Sequence, residues 1–155
     1  MKETSLCYIE HNDKILMLHR IKKKNDENEG KWIGIGGKFL ECETPSQCAK
    51  REIFEETGLT PFGLKYRGIV TFVSDIYETE KMHLFTAYSD TDTLCECSEG
   101  ELMWVEKDKL LTLPMWEGDR IFLERIKDEN EPFFRLTLTY NGEKLVSSSF
   151  GEEIV

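Results

Sequence analysis

A chain of 155 residues that is 39% hydrophobic is long enough for one domain around a single core and too short for two. Its 30 acidic and 20 basic residues leave a net charge of −10, a field that disfavours nucleic-acid polymers and anionic membranes and accepts a phosphorylated small molecule where a cation or a local basic patch screens it. No apolar run nears the roughly 20 residues of a membrane helix, and the opening MKETSLCYIEHND lacks the basic and apolar segments of a secretion signal, so a soluble cytoplasmic protein is expected.

The five cysteines, Cys7, Cys42, Cys48, Cys95 and Cys97, form no paired framework, which suits reduced cytosolic thiols. Cys95-Glu96-Cys97 lacks the second cysteine pair and the histidine spacing that a zinc site needs. In chain order, SLCYIE and KILMLHR are apolar runs on either side of His11-Asn12-Asp13 and predict a hairpin. The charged stretch IKKKNDENEGK has no apolar anchor and reads as a loop. WIGIGGKF, an apolar run broken by glycines, is expected as a short strand leading into a tight bend. Thr44, Pro45 and Gln47 then carry the start signals of a helix: an N-cap, a proline at the first helical position and T-x-x-Q capping-box spacing. Gly58 suits the left-handed residue that ends it, so the helix runs Pro45 to Thr57. LKYRGIVTFVS, KMHLFTAYSD and GELMWVE read as three strands, and Ile121, Phe122, Arg125 and Ile126 suggest a helix from Asp119 to Lys127. FFRLTLTY and EKLVSSSF flank Asn141-Gly142, the pair favoured in a type I′ hairpin turn. Strands dominate and helices fall between them at irregular intervals, so the class is α+β, a layered domain on a mixed sheet.

On the first helix Glu52, Glu55 and Glu56 fall within about 100° of one another, because residues three and four apart share a face. One reading is a solvated acidic stripe eased by Arg51 pairing with Glu55, since like charges on an exposed helix cost only a few tenths of a kcal/mol per pair. The other is a carboxylate cluster for a hard cation, because Mg²⁺ takes a few oxygen ligands and completes its shell with waters and substrate phosphates. The charge spacing alone leaves both open.

The context is more specific. From Gly37 the chain reads GKFLECETPSQCAKREIFEETGL: glycine, five residues, Glu43, seven residues, Arg51-Glu52, aliphatic Ile53, one residue, Glu55-Glu56, one residue, Gly58 and aliphatic Leu59. This resembles the signature of the Nudix hydrolases, G-x5-E-x7-R-E-U-x-E-E-x-G-U, at every fixed position. Competing glycine motifs fail: a P-loop needs Ser or Thr where Phe39 stands, and GIGGKF lacks the last glycine of G-x-G-x-x-G. The resemblance implies the Nudix fold over residues 1–155 as a single domain, an α/β/α sandwich with a central mixed β-sheet and a loop-helix-loop motif. It implies hydrolysis of a nucleoside diphosphate linked to another group, with Mg²⁺ as cofactor and Mn²⁺ as a substitute. Its partner is a nucleotide, neither a nucleic-acid polymer nor a membrane, and a monomer and a homodimer are both compatible with it. By position, Glu52, Glu55, Glu56 and the Gly37 carbonyl match metal ligands, and Arg51 matches the arginine that orients a glutamate of the cluster. Glu43 and Gly58 match structural positions of the motif, and the general base is one of Glu55, Glu56 or the loop acid Glu99.

GKWIGIGGK and PMWEGD are similar to the MutT-like branch that includes the 8-oxo-dGTP diphosphatases, enzymes of nucleotide-pool sanitation and so of DNA repair. That similarity implies a base pocket bordered by Trp116 and Asp119, with Phe72 as its opposite wall: an aromatic face stacks on a purine and a carboxyl group bonds its edge. Lys23, within the Lys22–Lys24 run, is a candidate contact for the phosphates. Ile33 stands where several relatives place an asparagine that contacts the base, and Gly118 precedes Asp119 where a second acid would be, departures that point to a broader (d)NTP preference. Hydrolysis of ADP-ribose, a diadenosine polyphosphate or a sugar nucleotide is the alternative, followed by a non-catalytic nucleotide-binding module.

Overall fold

The computed structural model describes residues 1–21 and 27–151. The N-terminal hairpin forms from β1 (Lys2–His11) and β2 (Lys14–His19). Its turn is tighter than expected: His11 pairs with Lys14, and only Asn12 and Asp13, at φ 48° and 61°, make the reversal. Both belong to the few non-glycine residues that tolerate this left-handed region. The expected strand over WIGIGGKF divides at Gly34 into β3 (Trp32–Ile33), which pairs with β2, and β4 (Ile35–Lys38), which pairs with β1. There follow α1 (Pro45–Thr57), β5 (Phe62–Ser74), β6 (Glu80–Tyr88) and β7 (Glu101–Glu106). A 3-10 helix, Lys107–Thr112, precedes α2 (Glu117–Ile126), and the chain closes with β8 (Phe134–Asn141) and β9 (Lys144–Phe150).

Two local expectations shift. The second helix starts at Glu117 rather than Asp119, because the Trp116 carbonyl already accepts the Asp119 N–H at 3.0 Å. In the last hairpin Asn141 pairs with Lys144, so the two-residue loop is Gly142-Glu143 and positive φ falls on Gly142 alone. A type I′ turn centred on Asn141-Gly142 needs positive φ at both, and a register shift between Thr139 and Tyr140 moves the turn one residue along.

The main sheet order is β3-β2-β1-β6-β5-β8-β9, with β1–β6 and β5–β8 parallel, while β4 joins β1 and β7 joins β2. The strand alternation of β1 explains the layering. Leu6 and Tyr8 enter one core with Phe122 and Leu123 of α2, while Cys7 and Ile9 enter another with Ala49 and Ile53 of α1. A central sheet buried on both faces is the sandwich, and each Leu, Ile or Phe fully withdrawn from water contributes about 1.5–3 kcal/mol. Among the described residues no helix is long and apolar enough to cross a membrane.

Candidate active site

The sequence fixes α1 at both ends. The Thr44 hydroxyl accepts the Gln47 N–H at 3.2 Å, and the Gln47 side chain accepts the Thr44 N–H at 3.0 Å, closing the capping box. Gly58 ends the helix at φ 78° and donates its N–H to the Phe54 carbonyl. With Cys48, Ala49 and Ile53 turned into the core, the helix presents its glutamates toward β4. The approach is close: a Cβ at Gly37 would lie 2.5 Å from the Glu52 carboxyl carbon, so any side chain there would displace the carboxylate.

Arg51 holds the acids in place. Its Nε and Nη2 donate to the two oxygens of Glu43 at 2.7 and 2.9 Å, a bidentate fork. Nη1 reaches Glu52 at 2.7 Å and Glu55 at 3.1 Å, and Nη2 also donates to the Lys38 carbonyl at 3.0 Å. This guanidinium holds the Glu43 carboxyl down at about 2. The motif acid that lies eight residues before Arg51 is thus its main partner.

Glu56 sits differently. It is buried, and its Oε2 has no hydrogen-bond partner among the described residues. Burial first, then a shared hydrogen bond with Glu99 and the charges of Glu99 and Glu52, push its carboxyl well above the ordinary range. Glu99 arrives on the loop after β6, which is tied to α1 by the Cys95 N–H bonding the Thr57 carbonyl at 2.9 Å. Arg20 approaches Glu99 at 3.3 Å. Burial likewise raises Glu52. Four carboxylates and a backbone carbonyl are hard oxygen donors, and the unpartnered Glu56 oxygen is an acceptor left over once the protein's own bonds are made. That donor set fits a divalent cation of the Mg²⁺ type. Among the described residues no three acidic, histidine or cysteine side chains converge as they stand into a metal-holding group, since Arg51 draws Glu52 and Glu55 toward itself. Arg51 takes one oxygen of each, Oε1 of Glu52 and Oε2 of Glu55, and leaves the other for a cation.

The residues expected at the base lie on the other side of the sheet. Phe72, Trp116 and Tyr140 form a buried aromatic triangle with ring centroids 4.9–5.3 Å apart. The Trp116 indole N–H donates to the Asn28 side chain at 2.9 Å, and Lys31 lies over its ring at 4.4 Å. Asp119 is buried in the first turn of α2, where burial and the nearby charge of Glu80 push its carboxyl up to about 7 against the opposing Arg120 and Lys31. A side chain at Gly118 would meet Leu138 at 2.4 Å and the Tyr140 hydroxyl at 2.7 Å, so the fold admits no second acid there. Ile33 packs against the α1-side core, and the structure does not bring it to Phe72, Trp116 and Asp119. Lys22, Lys23 and Lys24 lie outside the described residues. A residue not singled out from the sequence, Tyr8, stands beside this group. Its ring packs against Gly34, and its buried hydroxyl feels the Asp119 charge. The alternation of β1 was the signal for it, since Tyr8 shares the α2 face with Leu6.

A helix bearing three glutamates, packed on the edge of a mixed sheet beside a glycine strand, defines a Nudix-type hydrolase. Residues 2–126 match the NUDIX domain family, and the chain belongs to it. It is similar to the oxidized purine nucleoside triphosphate hydrolase of Danio rerio, 39% identical over 99 residues, a match covering 63% of this chain and 63% of that relative's length. It is 28% identical to the uncharacterized Nudix hydrolase YvcI of Bacillus subtilis over 149 residues, 92% of this chain and 89% of that one. Among solved structures, a MutT protein from Bacillus halodurans superposes with a TM-score of 0.85 at 26% identity, covering 99% of this chain and 100% of that chain. The family and the sandwich architecture expected from the sequence are both borne out.

Proposed function

We propose that the protein is a Mg²⁺-dependent pyrophosphohydrolase of nucleoside triphosphates, 8-oxo-dGTP among them, releasing a monophosphate and pyrophosphate and serving nucleotide-pool sanitation in the cytoplasm. The observation that carries this reading is the carboxylate set of α1 beside the Gly37 strand, with one buried Glu56 oxygen left without a partner. Mg²⁺, or Mn²⁺ in its place, would be held by Glu52, Glu55, Glu56 and the Gly37 carbonyl and would neutralise phosphate oxygens and acidify a water. Glu56 and Glu99 stand side by side, and either carboxylate is placed to take the proton of the attacking water. Arg51 keeps Glu52 and Glu55 oriented through its bonds to both.

For the base, Trp116 and Phe72 offer stacking surfaces, and Asp119, titrating at about 7, presents either an O–H or a carboxylate to the purine edge. The names of the Danio rerio relative and the MutT neighbour support this choice of substrate class. The test is nucleoside monophosphate formation from 8-oxo-dGTP, dGTP, other nucleoside triphosphates and ADP-ribose with Mg²⁺. The triphosphates are expected to lead in kcat/KM. Preference for ADP-ribose over every triphosphate would contradict the proposal.

Asp119 also makes a stability prediction. Its carboxyl holds a proton more tightly folded than unfolded, so the stability it lends is complete below the ordinary carboxylate range near 4 and is lost as pH rises to about 7. Asp119→Asn removes that loss. Thermal or denaturant unfolding across this range should find the variant matched to the parent at the acid end and more stable above about pH 8, by up to about 4 kcal/mol. Parallel profiles would refute the assignment.

A further inference from the structure

At the far end of α2, about 15 Å along the helix from Trp116 at 1.5 Å per residue, the structure holds a second cavity. Its volume is about 460 Å³, and it opens between α2, the 3-10 helix and strands β1, β5 and β6. Small-molecule sites span roughly 300–1,000 Å³ and are mostly apolar with a few placed polar groups. Here Ile15, Leu110, Leu123 and Ile126 supply the apolar wall, and Arg67 is set into it.

Arg67 is 3% exposed, and its partners are all neutral. It donates to the Thr86 hydroxyl and the Ile126 carbonyl, both at 3.2 Å, and to the Asp128 carbonyl at 2.6 Å. Those bonds use three of the five N–H groups of a guanidinium. The carbonyls at the end of α2 offset part of its charge, but among the described residues no carboxylate forms an ion pair with it. Of the other charges of the lining, Lys107 pairs with Glu10 at 2.7 Å and Lys127 with Glu124 at 3.1 Å, while the Glu129 carboxylate accepts the Tyr88 hydroxyl. Asp108 lines the rim as well. A buried cation lacking a counter-ion, with N–H groups to spare and an apolar chamber beside it, is complementary to one kind of ligand.

We infer that this cavity binds an amphipathic monoanion: an apolar body of small-molecule size carrying one carboxylate or similar oxyanion that seats on Arg67. The site excludes the glutamates of α1, Trp116 and Asp119, with Tyr8 on the wall between it and Asp119, and it does not depend on the identity of the nucleotide.

Two fluorescent probes test it on the intact protein. 1-Anilinonaphthalene-8-sulfonate carries an aromatic body with one anionic group, and N-phenyl-1-naphthylamine is the same body without the charge. The sulfonate should bind one to one and roughly tenfold tighter than the amine, the scale of a hydrogen bond to a charged group. Arg67→Gln should abolish that difference and leave the amine's affinity unchanged. Ile126→Trp, which fills the chamber while keeping its backbone carbonyl, should weaken both probes at least about tenfold and leave nucleotide hydrolysis unaltered. If Arg67→Gln does not fold, the comparison of the two probes on the parent and on Ile126→Trp still decides. Equal affinity for both probes on the parent protein, undiminished binding in Ile126→Trp, or displacement of the sulfonate by a nucleoside triphosphate would overturn the inference.

Discussion

Replacing Glu56 with glutamine lowers kcat by about a thousandfold, within the roughly 10²–10⁴ attributed to a positioned acid or base, and leaves the fold and its melting temperature intact. The reason is local. Glu56 is buried with an oxygen that bonds nothing among the described residues, and its carboxyl is already pushed toward the neutral form by burial and by Glu99. An amide of the same shape therefore costs the metal-free protein little. It cannot supply the anionic oxygen that a divalent cation requires, nor accept a proton from the attacking water. Steady-state kinetics beside a thermal melt separates the two effects. A variant with near-parental turnover would remove Glu56 from the mechanism, and one that is inactive because it is unfolded would make Glu56 a structural residue.

The second large effect belongs to Arg51, a positioning residue. Its planar fork bonds Glu43 twice, reaches Glu52 and Glu55, and closes on the Lys38 carbonyl. Lysine keeps the charge and loses the fork, so Arg51→Lys cannot satisfy these acceptors together. Turnover should drop by about a hundredfold, the low end of what a misplaced catalytic group costs. The Mg²⁺ concentration for half-maximal rate should rise, because Glu52 and Glu55 are no longer held. The nucleotide KM should change little, since Arg51 lies on the opposite side of the sheet from Trp116 and Asp119. A merely structural role would instead lower the melting temperature while leaving the Mg²⁺ dependence unmoved.

The legible part of this molecule is the part encoded at short range. Thr44, Pro45, Gln47 and Gly58 specify α1 through caps that each involve neighbours within four residues, and the helix has the expected boundaries. The apolar run of β1 beside a turn likewise foretold a strand, though not that both its faces would be buried. Expectations shifted wherever a partner distant in sequence decided the geometry. WIGIGGKF divides because Trp32 and Ile33 pair with β2, whereas Ile35 to Lys38 pair with β1. The Asn141-Gly142 turn moves because the β8–β9 register shifts at Tyr140, whose ring is committed to Phe72 and Trp116.

The site divides the same way. Glu52, Glu55 and Glu56 share a helix face by spacing alone, and a single fixed interval links Glu43 to its fork with Arg51. By contrast, Tyr8 and Asp119 lie over a hundred residues apart, and only the sandwich brings them together. Arg67 reads in sequence as one more polar residue of β5; its significance comes from the end of α2 closing over it.

The decisive measurement is product analysis of a nucleoside triphosphate incubated with the parent protein, with Mg²⁺ and with a chelator. Monophosphate and pyrophosphate should appear in equal amounts with Mg²⁺ and vanish with the chelator. Nucleoside diphosphate with orthophosphate, or turnover indifferent to the chelator, would contradict the assignment.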